Sequence, residues 1–224
     1  MLVDPNRYFD KDQLTALRRI SPLRGLGSVL WTWAWIVACF AAYAIYPSVW
    51  TVLGAWLVMS GRHLALAILM HEASHGLIVR SKRANDWVGQ WLTAYPAMTD
   101  MLLYRATHFV HHRETWTQKD PDLSLAAALP VSRRSFRRKM VRDLTGQTAY
   151  KRHRVLARYA AGLSVSGKGL EGKSPWRVLG AFVRNQRGFL ITNGLMLGGL
   201  TAVGIPEAYL LVWWLPWVTG YSVV

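Results

Sequence analysis

The fold is decided by residues 25–61, GLGSVLWTWAWIVACFAAYAIYPSVWTVLGAWLVMSG. This stretch contains no Asp, Glu, Lys, Arg or His. It is too long for a single helix across a hydrocarbon core of about 30 Å, which takes about 20 residues. Pro47 lies near its centre and limits helix continuation. We therefore predict a helical hairpin with membrane crossings near 27–46 and 49–70.

A second apolar stretch occupies residues 188–224, where Glu207 is the only charged residue. Its break falls at Gly204-Ile205-Pro206-Glu207, which predicts a second hairpin with crossings near 188–204 and 207–224. The chain is 52% hydrophobic and contains 12 Trp, a composition that fits a water-soluble globule poorly. The sequence thus predicts an all-α integral membrane protein with four transmembrane helices arranged as two hairpins.

The basic residues are distributed unevenly. The net charge is +15, and apart from Arg62 every Lys and Arg lies either before residue 25 or within 80–187. By the positive-inside rule, the amino terminus and the 80–187 segment face the cytoplasm. A concentrated basic run at 133–154 suits anionic lipid headgroups, or alternatively an acidic electron-transfer protein. This distribution argues against a nucleic-acid partner.

Five of the seven histidines form two clusters, His71-Glu72-Ala73-Ser74-His75 and His108-Phe109-Val110-His111-His112. On a helix, residues three or four apart share a face, so each cluster would project its imidazoles together. Imidazole binds iron, copper, zinc and nickel. We predict a metal site at the cytoplasmic membrane surface with Glu72 as a group that orients a ligand; the candidate ligands are His71, His75, His108, His111 and His112.

The first cluster also satisfies the HExxH pattern, in which two histidines hold zinc and Glu72 activates water. An intramembrane zinc hydrolase is therefore an alternative, although such an enzyme needs one further ligand and here three histidines come together. Asp120 and Asp122 are interpreted as turn formers, or as carboxylates that orient ligands. Whether His63 lies near the metal is left open. His153 is interpreted as a surface residue. The single cysteine, Cys39, is interpreted as buried filler.

The local signals predict three helices around these clusters. A short interfacial helix is expected over 10–20, ending before Pro22, and the helix that carries His71 and His75 is expected to run over about 48–79. Asp100 or Thr99 is expected to cap the helix that carries the second cluster.

The two histidine boxes with helical hairpins on either side resemble the membrane-bound fatty acid desaturase and hydroxylase family. The resemblance implies a di-iron centre that uses O2 and two electrons to remove hydrogens from an acyl chain, with the five box histidines as iron ligands. It further implies a membrane lipid or acyl thioester as substrate and a ferredoxin or small cytochrome as electron donor. The expected location is the inner or plasma membrane, with the boxes facing the cytoplasm.

One motif of the family is not found in this sequence. The family has a third HxxHH box after the fourth crossing, whereas this chain has no histidine after His153. We therefore expect a single desaturase-like domain over 1–224, truncated at its carboxyl end and inactive on its own. Its parts are an interfacial segment at 1–26, a first hairpin at 27–79, a cytoplasmic cap at 80–187 and a second hairpin at 188–224. Other hypotheses are a hydroxylase, a carotenoid-modifying oxygenase, and a membrane-anchored interaction protein with vestigial boxes.

Overall fold

The computed structural model describes residues 7–123, 129–161 and 174–223, and these are helical with no strand among them. Short irregular helices join the α-helices: π-helical segments at Gly89–Ala94 and Tyr209–Trp214, and a 3-10 turn at Tyr95–Ala97. The α-helices are α1 (Lys11–Leu17), α2 (Pro22–Ile45), α3 (Val49–Ser74), α4 (Lys82–Val88), α5 (Met101–Glu114), α6 (Arg133–Leu144), α7 (Gln147–Ala160), α8 (Pro175–Asn185), α9 (Arg187–Ala202) and α10 (Leu215–Thr219).

The first predicted hairpin corresponds to α2 and α3, which pack against each other. The chain turns at Pro47, and Ser48 caps α3 by accepting a hydrogen bond from the main-chain N–H of Thr51 at 3.2 Å. Two helical stretches are long and apolar enough to cross a membrane, Lys11–Ile45 and Val49–Ser74. They support a membrane protein, in agreement with the prediction.

The second predicted hairpin corresponds to α9, the π-helical segment Tyr209–Trp214 and α10. The chain turns at Gly204, whose φ of +85° is in the left-handed region that glycine adopts freely. α9 has 16 residues and the Tyr209–Thr219 stretch is shorter still, below the roughly 20 that a perpendicular crossing takes. The four-crossing topology therefore stays a prediction.

Two buried clusters hold the helices together. One lies between the two hairpins and centres on Met59, Leu66 and Trp213. The other lies next to the histidine boxes and includes Leu69 and Met101. Where helices are surrounded by lipid, close packing rather than apolar burial drives their association.

α3 ends five residues earlier than the sequence predicts. It stops at Ser74, His75 follows as the C-terminal cap, and Gly76 turns the chain away with a φ of +79°. The last carbonyls of the helix are taken by side chains from elsewhere: Arg105 donates to Ser74 O at 2.7 Å and to Ala73 O at 3.0 Å. Because these partners satisfy the helix end, the helix does not need to continue.

Candidate metal centre

Four of the five predicted ligands lie together at the junction of α3 and α5. His71 and His75 come from the end of α3, and His108 and His112 come from one face of α5. The ligand atoms that these four imidazoles offer all lie within 4.8 Å of one another. The i, i+4 spacing predicted from the sequence is therefore the spacing that produces the cluster.

The Nε2 atoms of three rings form a nearly equilateral triangle. His75 Nε2 lies 3.0 Å from His108 Nε2 and 3.2 Å from His112 Nε2, and His108 and His112 are 3.0 Å apart. Two nitrogens bound at about 2.1 Å to one ion, at a right angle, are about 3.0 Å apart. The spacing of the three donors therefore fits ligands on one face of a single metal ion.

Two imidazoles of the cluster, His75 and His108, have lowered pKa values, which favours the neutral form that metal ligation requires. Burial, and then the neighbouring imidazoles, lower the pKa of His108 from 6.5 to about 4. Burial and the charges of His71 and His112 also lower the pKa of His75. Four rings this close cannot all be protonated, because like charges within a few ångströms disfavour one another. The lone pairs of His75 and His108 are thus available to a cation near neutral pH.

Two further side chains contact the Nδ1 atoms of two histidines in the cluster. Glu72 Oε1 lies 3.0 Å from His71 Nδ1, and the Tyr104 hydroxyl lies 3.2 Å from His108 Nδ1. The Tyr104 ring also stacks on His108, with ring centroids 4.8 Å apart. A hydrogen bond to one ring nitrogen fixes both the tautomer and the orientation of the other, which is how outer groups tune metal ligands.

His111 lies beside the four-membered group rather than within it. Its ring centroid is 5.8 Å from that of His108, and its Nδ1 lies 2.7 Å from Asp120 Oδ1. This contact raises the pKa of His111 and lowers the pKa of Asp120. Asp120 also accepts from the main-chain N–H groups of Trp116 and Asp122, so the turn interpretation of the sequence is confirmed.

A half-buried ion pair fixes α5 against the end of α3. Besides its two main-chain contacts, Arg105 binds Asp86 in α4, with Nη2 at 2.5 Å from Oδ1. This contact lowers the pKa of Asp86 from 3.8 to about 2. Asn85 adds a hydrogen bond to Ala73 O at 2.8 Å and accepts from Ile78 N at 3.1 Å. Together these contacts set the distance between the two histidine boxes.

Sequence reasoning missed these supporting residues, namely Tyr104, Arg105, Asp86 and Asn85. Tyr104 lies four residues before His108 on the same helix face, a signal that could have revealed it. Arg105 contacts main chain 31 residues away, which no local pattern indicates. Asp100 was predicted correctly: its carboxylate caps α5 by accepting from Leu102 N and Leu103 N.

The two remaining histidines lie outside this cluster. His63 is completely buried against Trp213. The interpretation of His153 as a surface residue is wrong: its ring packs edge-on against Trp217 with centroids 4.6 Å apart, and its Nε2 is buried. The local sequence Lys151-Arg152-His153-Arg154 suggests a solvated face, but α7 packs this side against α10. Cys39 is buried in the core, as predicted.

Comparison with known proteins agrees with this arrangement. The family described as "Fatty acid desaturase" matches residues 47–224, which include both histidine boxes, α3 and the second apolar stretch. The chain belongs to the fatty acid desaturase family. It is therefore related to oxidoreductases that use iron, and its histidine-rich, carboxylate-poor donor set suits that metal.

One curated relative is similar over part of the chain. It is the sn-1 acyl-lipid omega-3 desaturase (ferredoxin) of Synechocystis sp., which is 30% identical over 81 residues. This match covers 36% of the chain and 22% of the relative's length. No solved structure matches the chain.

Proposed function

We propose that the chain forms the metal-binding part of an oxygen-dependent acyl-chain desaturase in a membrane. The observation that carries this proposal is the triangle of Nε2 atoms from His75, His108 and His112, with His71 beside it. The family match supports desaturation as the reaction type. An iron centre held here, when bound, supplies the oxidant that removes hydrogens from an unactivated carbon.

In this proposal the protein's own residues position the metal. His71, His75, His108 and His112 bind it, and Glu72 and Tyr104 orient two of the rings. His111 is a fifth ligand, with its free Nε2 directed by the contact of its Nδ1 with Asp120. A di-iron centre needs more donors than the four that the described residues bring within 4.8 Å, so part of its ligand set lies outside this group.

The proposed substrate and electron donor rest on the name of the relative. Because the Synechocystis enzyme is named as an acyl-lipid desaturase that uses ferredoxin, we propose a membrane lipid as substrate and ferredoxin as donor. The basic helix α6 supports the second part, since ferredoxins are acidic and α6 exposes a row of arginines. The histidine boxes and the amino terminus face the cytoplasm in this proposal, in keeping with the positions of the Lys and Arg residues.

Lipid analysis of cells that express the natural protein tests this function. We expect new unsaturated acyl chains in air and none without oxygen. Replacing His112 by Ala should abolish them, whereas Thr107→Ala, an exposed position on the same helix, should leave the lipid profile as in the wild type. A profile that is the same in air and nitrogen would contradict the proposal.

Metal analysis separates the proposal from the zinc hydrolase. A desaturase should contain iron, and Glu72→Gln should retain most of it because Glu72 contacts His71 rather than acting as a ligand itself. A zinc hydrolase should contain zinc and lose proteolytic activity in the same variant. Zinc as the functional metal, together with this loss, would overturn the desaturase proposal.

A further inference from the structure

Four arginines lie around two adjoining cavities at the amino-terminal end of α2. The first cavity, of about 670 Å³, lies beside α1, and the second, of about 480 Å³, lies beside the start of α2. Arg19 and Arg80 line both cavities, whereas Arg18 lines the first and Arg24 the second. The two cavities therefore form one region bordered by arginines from three parts of the sequence, here called the arginine cavity.

The main chain holds Arg24 and Arg80 close together. A methyl group added at Gly25 would lie 2.2 Å from the carbonyl oxygen of Ile78, so glycine is needed where α2 approaches this loop. Ile78 is buried, and its N–H donates to Asn85 Oδ1 at 3.1 Å. Arg24 directly precedes Gly25, and Arg80 follows Ile78 by two residues. Both arginines therefore extend from backbone that packing and hydrogen bonding fix in place.

The charge of the arginine cavity is not neutralised within the described part of the chain. The ion pairs found there involve other cations, so none of the four arginines has a carboxylate partner among those residues. Asp12 is the only acidic residue that lines the region, and it borders the first cavity alone. Like charges held near one another repel, and an anion with several acceptor oxygens relieves that repulsion. A phosphate group is such an anion, and the guanidinium fork matches its geometry.

The position of the arginine cavity favours a phosphate that belongs to a lipid. Arg24 is the last charged residue before the uncharged stretch 25–61, so the first predicted crossing places it at the level of the headgroups. Leu23 lines the second cavity and is 84% exposed. Leu26 and Leu30 are also exposed and follow Leu23 on the same face of α2. A phospholipid fits both features, with its phosphate at the arginines and its acyl chains along the leucines.

We propose that Arg18, Arg19, Arg24 and Arg80 bind the phosphate of an anionic phospholipid. A headgroup with a net negative charge is required, because a zwitterionic headgroup brings its own cation next to the phosphate and leaves the arginines without a counter-ion. The bound lipid is a ligand and not the reacting molecule: the arginines recognise the headgroup, and none of the box histidines lines either cavity. The inference therefore goes beyond the desaturase proposal and does not depend on it.

Native mass spectrometry of the full natural protein, released from detergent, tests this site. The protein is titrated with phosphatidylglycerol and with phosphatidylcholine of the same acyl chains, and we expect phosphatidylglycerol to bind more tightly. Arg19→Gln combined with Arg80→Gln should weaken phosphatidylglycerol binding about tenfold or more, since charge-assisted hydrogen bonds are lost. Arg18→Gln combined with Arg24→Gln should also weaken it. The control Arg83→Gln changes an exposed arginine outside both cavities and should bind as the wild type does.

Four results would overturn the proposal. Equal affinities for the two lipids would do so, as would phosphatidylglycerol binding that is unchanged in both double variants. A loss of binding in Arg83→Gln as large as in the double variants would show a response to surface charge alone. Displacement of phosphatidylglycerol by millimolar inorganic phosphate would assign the cavity to a soluble anion instead. The iron content of the same samples tests the desaturase proposal separately, since missing iron leaves the lipid affinities unaffected.

Discussion

His111 differs from the other box histidines in the partner of its second nitrogen. Its Nδ1 lies 2.7 Å from the buried carboxylate of Asp120, a contact that would orient the imidazole if His111 binds the proposed metal. The other rings of the cluster rely on Glu72, Tyr104 or no side chain at all. Among the carboxylates that contact a box histidine, Asp120 is thus the most buried, with a side chain 3% exposed against 38% for Glu72.

Asp120→Asn is expected to lower the affinity for iron by about 10-fold to 100-fold, the usual effect of losing an outer carboxylate. The amide is a weaker acceptor and leaves the His111 ring less well oriented. A chelator-competition titration measures the change. The control is Asp122→Asn, whose carboxylate lies farther away at 3.8 Å and is half-exposed. Equal affinities of the two variants would show that His111 does not bind the metal.

Asp86 makes stability depend on pH in a defined window. Its pKa in the folded protein is about 2, below the unfolded value of 3.8, because Arg105 stabilises the carboxylate. A lowered pKa means that the contribution, roughly 2 kcal/mol, is present above pH 3.8 and is lost as the pH falls through about 2. The thermal unfolding midpoint measured in detergent should therefore decrease as the pH is lowered from about 4 to about 2.5.

Asp86→Asn is expected to remove this part of the pH dependence while lowering stability at neutral pH. The matched change at an exposed carboxylate, Asp12→Asn in α1, should leave the acid-dependent fall in place. An Asp86→Asn protein that loses stability with acid as steeply as the wild type would contradict the assignment.

At the scale of helices, α9 approaches the Tyr95 ring through a glycine. A methyl group added at Gly188 would collide with three carbon atoms of that ring, whereas one added at Gly194 meets nothing within 4 Å. Gly188→Ala is therefore expected to lower the thermal unfolding midpoint by several degrees, since overpacking costs about 1–3 kcal/mol. Gly194→Ala, in the same helix, should be neutral or slightly stabilising. If the two alanine variants unfolded at the same temperature, α9 would not pack as described.

Local signals in the sequence predicted most of the helix positions. Pro47 and Gly204 mark turns that the structure contains, and Asp100 caps α5 through its own carboxylate. Each of these depends on neighbours a few residues away. The end of α3 was missed because it depends on Arg105, which reaches it from α5.

The histidine pairs within each box were predictable because they, too, depend on residues only a few positions apart. The i, i+4 pairs within each box follow from helix geometry, and only the meeting of the two boxes required the fold. The packing of His63 against Trp213 and of His153 against Trp217 was not predictable, since each pair joins distant parts of the sequence. A basic local sequence concealed the burial of His153.

At the scale of the whole molecule, α3 separates the turn at Pro47 from the histidine boxes. Its 26 residues span about 39 Å, so the turn at Pro47 and the histidine boxes lie at opposite ends of a helix as long as a membrane is thick. The predicted orientation places the boxes in the cytoplasm. In that orientation the histidine cluster would be accessible to the soluble electron donor proposed above.

Cysteine labelling of intact cells tests the orientation. In a Cys39→Ala background, Tyr46→Cys should react with an impermeant maleimide from outside, because Tyr46 is exposed in the turn. Arg83→Cys, exposed at the start of α4, should react only after the membrane is opened. Reaction of both positions from the same side would contradict the orientation of the first hairpin.

In the proposed centre, imidazoles from α3 and α5 bind the same metal site. X-ray absorption at the iron edge, on the purified natural protein, tests it most directly. We predict iron with a shell of imidazole nitrogens at about 2.1 Å, which is lost in His75→Ala and in His108→Ala but kept in Thr107→Ala. Iron bound with the same nitrogen shell in both histidine variants would contradict the account.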